Sequence, residues 1–251
     1  RIPAMVTTSK GTVIAAADQR NTHWSDWGNI DTVVRRSTDN GLTWEDPIDV
    51  IDLKSQSYFS GTQSAYTIDP AMIAEDENGK NPGRVWMLVD MFPESTNGSQ
   101  GTWSIKETGT GYVKVDGKDY LSLYDKDNNQ YTLRENGEVF DKDNQKTDYV
   151  VKQFEGNDEQ GYHEKGDLYK SGEYVGNIYL RSTSKNNDSA PLHPTQTCYL
   201  WLSYSDDDGV TWSDPVDITP QVKADWMRFC GVGPGFGVQL QYDEEHPGRL
   251  V

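Results

Sequence analysis

The chain has 251 residues, enough for one large domain or two ordinary ones. A net charge of -17 leaves no basic stripe to displace counterions from nucleic acid, and it disfavours docking on anionic membranes. Only 34% of the residues are hydrophobic, yet 8 Trp and 14 Tyr move the burial onto aromatics, a composition that suits amphipathic β-sheets.

No run approaches the roughly 18 apolar residues of a spanning helix, so no membrane insertion is expected. Two cysteines, Cys198 and Cys230, define no disulfide framework and are read as free thiols. The four histidines have no metal-ligand spacing, and no metal or other cofactor is expected. The chain begins at Arg1 rather than Met, and we read it as a processed or excised piece.

In chain order, residues 11–17, 31–37 and 84–90 are β-rich runs bounded by turn residues. The second run leads into Ser37-Thr38-Asp39-Asn40-Gly41-Leu42-Thr43-Trp44. Its Asp is expected to accept backbone N–H groups across a turn, its Gly to supply positive φ, and its Trp to pack beneath the sheet. Beyond Pro93 the composition shifts to Asp, Asn, Gly, Lys and Tyr, with short alternating strands at 112–115, 120–123 and 131–133. The segments 124–130 and 140–145 read as two copies of one hairpin turn. The first style returns in strands at 176–181 and 199–204, and Ser205-Asp206-Asp207-Asp208-Gly209-Val210-Thr211-Trp212 repeats the S-x-D-x-G-x-T-W pattern. Both copies end in x-Asp-Pro, so a repeated β unit organises the chain. The division expected is 1–95, an inserted β-rich subdomain at 96–172, and 173–251.

The first 31 residues hold the densest constellation: Arg1-Ile2-Pro3, Arg20, and Asp26-Trp27-Gly28-Asn29-Ile30-Asp31. Together with the two repeats and Val232-Gly233-Pro234-Gly235-Phe236-Gly237, this constellation resembles the bacterial sialidases (neuraminidases), and among them the intramolecular trans-sialidases. The resemblance covers residues 1–93 and about 175–251. It implies an all-β, six-bladed β-propeller of which about the first three blades are present. It also implies an exo-α-sialidase that releases terminal sialic acid from glycoproteins, glycolipids and mucins with retention, outside or on the surface of a bacterium. The tilt is toward intramolecular transfer, in which the sugar's own 7-hydroxyl displaces the aglycone to give 2,7-anhydro sialic acid. Ordinary hydrolysis, and a non-catalytic propeller that binds glycans or proteins, remain alternatives.

Residue by residue, Arg1 corresponds to the first of three arginines that grip the sialic acid carboxylate, a task suited to a planar guanidinium fork. Asp26 corresponds to the acid/base carboxylate. The flanking Trp24 and Trp27 are expected to desolvate it, and the rival Asp31 is read as a turn residue preceding a strand. Arg20 and Asp69 correspond to the pair binding the 4-hydroxyl, with Ile2 and Ile68 lining the pocket beside them. The family's tyrosine nucleophile, its glutamate and two further arginines are expected beyond Val251. The conserved-looking repeats are read as architectural, with no catalysis from Asp39 or Asp207.

Overall fold

A computed structural model describes residues 1–54, 64–94, 105–152, 164–181 and 189–251. The expected junction at 95/96 and the opening of the inserted segment lie outside these residues.

Strands β1 (Ala4–Thr7), β2 (Val13–Arg20), β3 (Ile30–Ser37) and β4 (Ile48–Ile51) form a four-stranded antiparallel meander. Period-2 alternation places Ile14, Ala16 and Asp18 of β2 on its buried face. The first repeat makes the β3–β4 connection in the expected way. The Thr43 N–H and hydroxyl donate to the two Asp39 oxygens at 2.8 and 2.6 Å, and Gly41 sits at φ +84°. Its Trp44 does not pack beneath the sheet as expected, being 38% exposed, whereas Trp212 of the second repeat is 2% exposed.

Strands β5 (Tyr66–Ala74) and β6 (Val85–Phe92) begin a second sheet, and the chain then enters a third. That third sheet holds β7 (Tyr112–Val115), β8 (Lys118–Tyr124), β9 (Gln130–Leu133), β10 (Glu138–Phe140), β11 (Lys146–Val151), β12 (Asp167–Lys170), β13 (Glu173–Asn177) and β14 (His193–Pro194). The two expected hairpin copies are wired alike. Asp125 accepts from the N–H groups of Asp127 and Asn129, and Asp141 from those of Asp143 and Gln145, all four at 2.9 Å. The strand expected at 176–181 lies earlier, as β13, because the backbone turns at Ile178 and Tyr179.

The chain returns to the second sheet through β15 (Tyr199–Ser205), which pairs with β6, and β16 (Val216–Asp217). After the single-turn helix α1 (Thr219–Val222), β17 (Gly235–Phe236) adds to β5 in parallel. The fold is all-β, as expected. Among the described residues β1–β4 form one antiparallel meander, and β5, β6, β15 and β16 are the antiparallel strands of the second sheet, which β17 joins.

The first meander packs on β5, and its Ile14, Ala16 and Val34 share one buried core cluster with Met72 of β5 and Met87 and Met91 of β6. Thr32 and Thr67 share a buried hydroxyl contact across this seam at 2.7 Å. The second repeat fastens the far end. Asp208 accepts from the hydroxyls of Thr8 (2.6 Å) and Thr12 (2.5 Å), tying the β15–β16 turn to the first sheet. One end of the seam is thereby left to carry the polar cluster described next.

Candidate active site

The C-terminal end of β2 brings the cluster together. Asp18 and Arg20 share one face of the strand, two residues apart, and the Arg20 Nη2 donates to Asp18 Oδ2 at 2.7 Å. Both side chains are nearly or fully buried. The other Asp18 oxygen accepts the Asp69 N–H at 3.1 Å, which links β2 to β5. Burial pushes the Asp18 carboxyl above the ordinary Asp range, with the Arg20 and Asp69 hydrogen bonds pulling the other way.

Arg1 is held beside this pair by its own backbone. Its amino group donates to the Asp18 carbonyl at 2.8 Å, and its carbonyl accepts the Asp18 N–H at 2.8 Å. Its guanidinium then converges with that of Arg20. Arg1 Nη1 and Arg20 Nη1 each donate to the Trp24 carbonyl at 2.6 Å. The same Arg20 nitrogen reaches Asp26 Oδ1 at 2.6 Å. Arg1, Arg20 and Asp26 therefore meet around one carbonyl oxygen, although 25 positions of sequence separate the first from the last.

Asp69 sits at a bulge in β5, where the register with β6 shifts between Ile68 and Ala71. Its φ is +58°, and the following Pro70 has no N–H to offer the ladder, so strand pairing breaks at the point where the carboxylate must turn outward. Burial, then the charges of Asp18 and Asp26, push its carboxyl up to about 6. A Cβ on Gly233 would run into the Asp69 carbonyl, so the segment around Val232 approaches β5 as bare backbone.

No family model matches the chain. An anhydrosialidase of the leech Macrobdella decora is 33% identical over 284 residues, covering all of this chain and 35% of the relative. The intramolecular trans-sialidase of Ruminococcus gnavus, solved with oseltamivir carboxylate, superposes with a TM-score of 0.79 at 29% identity, over the whole chain and 54% of that protein. A leech intramolecular trans-sialidase, solved with 2,7-anhydro-Neu5Ac after soaking with 3'-sialyllactose, gives 0.76 at 28% identity, over the whole chain and 39% of that protein. The chain belongs to the sialidase family. It spans about a third of the length of the curated relatives it matches.

In this sialidase-family chain Arg1, Arg20, Asp26 and Asp69 all fall in one cluster. Two expectations about their neighbours are corrected. The shelter expected for Asp26 is missing, because Trp24 is 77% exposed and the Asp26 side chain 63% exposed. Trp27 instead packs on the His23 ring, with centroids 4.1 Å apart. Ile68 does not present surface to a ligand. It is buried in a small core cluster with Ile30, Tyr66, Phe92, Ile105 and Cys198, and it supports Asp69 from beneath. Ile2 is half-buried at φ +53°, a conformation that a β-branched residue adopts only under constraint.

Asp31 is also not a turn residue. It lies inside β3, opposite Gln19, and is buried. Burial, with the Asp52 charge next, pushes its carboxyl well above the usual range. The Asn21 amide donates to it, and the Asn21 N–H donates to the Asn29 carbonyl at 3.0 Å. Asp31 thus closes the base of the loop that carries Asp26 at its tip. Asp18 and Asp90 were assigned no role from sequence. Asp90 of β6 is fully buried, accepts the Val232 N–H at 3.2 Å, and is pushed up to about 8 by burial and by Asp69. The signal for Asp18 was its phase in β2, where an Asp falls on the face of Ile14 and Ala16.

Proposed function

We propose that this chain forms part of an exo-α-sialidase that releases terminal sialic acid from sialylated glycans with retention. The product proposed is 2,7-anhydro sialic acid, formed by intramolecular transfer. The observation that carries the proposal is the meeting of Arg1, Arg20 and Asp26 at the Trp24 carbonyl. Two guanidiniums beside an exposed carboxylate offer what an anionic sugar with a glycosidic oxygen requires. The Arg1 fork pairs with the substrate carboxylate, and Asp26 gives its proton to the departing oxygen. Arg20 and Asp69 then hold the 4-hydroxyl as donor and acceptor.

The intramolecular outcome is supported by the likeness to two intramolecular trans-sialidases, one of them solved with the anhydro product. The first two sheets suit neighbouring blades of a six-bladed propeller, with the third sheet, which runs past the expected boundary at 172 through β13 and β14, inserted between β6 and β15. The site of action proposed is the exterior of a bacterial cell, where sialylated glycans are met. The test is NMR of the products formed from 3'-sialyllactose by the intact enzyme. Resonances of 2,7-anhydro sialic acid are expected. Free sialic acid alone would assign ordinary hydrolysis, and no release at all would leave a glycan-binding propeller.

A further inference from the structure

A large cleft lies away from this cluster. It has a volume of about 1350 Å³, and none of Arg1, Arg20, Asp26 or Asp69 lines it. It is lined by residues 106–113, by β8, β9 and β14 of the eight-stranded sheet, and by residues 189–191. That volume exceeds the roughly 300–1,000 Å³ of ordinary small-molecule pockets and has room for several linked rings.

The chemistry of the lining is that of hydroxyls and amides. Leu121 and Leu123 of β8 face the core, so the alternate residues Ser122 and Tyr124 face the cleft. The Gln130 amide donates to the Ser122 hydroxyl at 3.1 Å and to the Tyr124 hydroxyl at 3.2 Å. Each oxygen thus accepts from the protein. The Tyr124 hydrogen and the Gln130 carbonyl are left to a ligand as donor and acceptor.

On β14, paired directly with Tyr124 of β8, the His193 Nδ1 lies 3.0 Å from the Ile178 carbonyl and Nε2 lies 3.2 Å from the Ser189 hydroxyl. A carbonyl can only accept, so Nδ1 carries the hydrogen and Nε2 accepts from Ser189. Burial first, then the neighbouring Arg181, push this imidazole down to about 4 and keep it neutral. The charged residues that line it are nearly balanced, three cationic (Lys106, Lys126 and Arg181) against four acidic (Glu107, Asp125, Asp127 and Asp225). That balance suits neither a polyanion nor a polycation. Uncharged, hydroxyl-rich ligands pair with such alternating donors and acceptors, and Tyr rings offer flat apolar faces to sugar C–H groups.

We infer that the cleft lined by β8, β9 and β14 and by residues 106–111 and 189–191 is a second carbohydrate site, which binds an uncharged stretch of glycan through Tyr124 and Gln130. Only the choice of probe rests on the proposed sialidase activity. The probe is a desialylated N-acetyllactosamine tetrasaccharide, followed by saturation-transfer NMR and titration calorimetry on the intact protein. Binding is expected, weakened about tenfold or more in Tyr124→Ala, by the loss of a ring contact and a hydrogen bond. A smaller loss is expected in Tyr124→Phe, which keeps the ring. Gln130→Ala replaces Tyr124→Ala should the latter fail to fold.

Free sialic acid serves as the second arm, because it reads the Arg1–Arg20 cluster and should bind parent and variants alike. No transfer from the tetrasaccharide, or equal affinity in parent and variants, overturns the second site. Tetrasaccharide binding that the variants lose, in a protein that ignores sialic acid, upholds the cleft and overturns the sialidase proposal instead.

Discussion

The floor of the candidate site and the exposed turns of the sheets use the same residue for opposite purposes. In the floor, burial pushes Asp18, Asp69 and Asp90 toward their neutral forms, with the Asp18 charge adding to the rise at Asp69 and the Asp69 charge to that at Asp90. In the turns the carboxylates are surrounded by donors. The Thr43 hydroxyl and N–H, with the Ser37 hydroxyl, hold Asp39 down at about 2, and the Asn129 amide does the same in kind for Asp125. Forty acidic side chains give the chain its net charge, but that charge is spread between two populations with different work. The floor group spends stability on a polar cavity, whereas the turn group fixes the backbone.

The sharpest way to break this contrast is at Asp18. Its removal leaves the buried Arg20 guanidinium with only the exposed Asp26 and the Trp24 carbonyl and frees the Asp69 N–H, so Asp18→Ala is expected to cost about 3 kcal/mol, the low end for deleting one partner of a buried pair. Denaturant unfolding measures it, and a loss below about 1 kcal/mol would mean that Arg20 finds another partner. Asp26, on the outer side of the same guanidinium, should behave in the reverse way. Asp26→Ala is expected to lower turnover on sialyllactose at least ~10²-fold, with the unfolding midpoint almost unchanged. A large loss of stability with turnover preserved would exchange the roles of the two carboxylates.

The turns were more legible in the sequence than the floor. S-x-D-x-G-x-T-W specifies its own hydrogen bonds within eight residues, and the repeated spelling at 124–130 and 140–145 did the same. Local chemistry is written locally. What the motif did not report is its packing. Trp44 and Trp212 occupy the same place in the pattern, and only Trp212 is covered by neighbouring structure. The resemblance brought out Arg1, Arg20, Asp26 and Asp69, but not the interactions that place them. Asp18 touches Asp69 across 51 positions, and Asp90 reaches Val232 across 142. Such contacts depend on how the sheets stack, which no short window contains. Asp31 was misjudged for a related reason. Ile30, Asp31 and Thr32 are all buried, so both faces of β3 are covered at its start, and that places the Asp31 carboxyl inside the fold.

The smaller effects test the sign of the contrast directly. Asp90 keeps its proton in the folded state up to about pH 8, while in the unfolded chain it is lost near pH 4. Its contribution to stability is therefore complete below about pH 4 and is lost as pH rises toward 8. Asp90→Asn, which cannot ionise, should flatten the fall in melting temperature across that window, and an unaltered slope would remove Asp90 from the account. Asp39 should respond with the opposite sign and the smallest amplitude, since it is fully exposed. Its contribution is present above about pH 4 and disappears as pH falls through about 2. A parent and an Asp39→Ala variant, distinguishable in thermal melts at pH 6, should therefore converge as the pH is lowered to 2. A difference that persists at pH 2 would mean that the protonated Asp39 side chain holds the turn as well as the anion does.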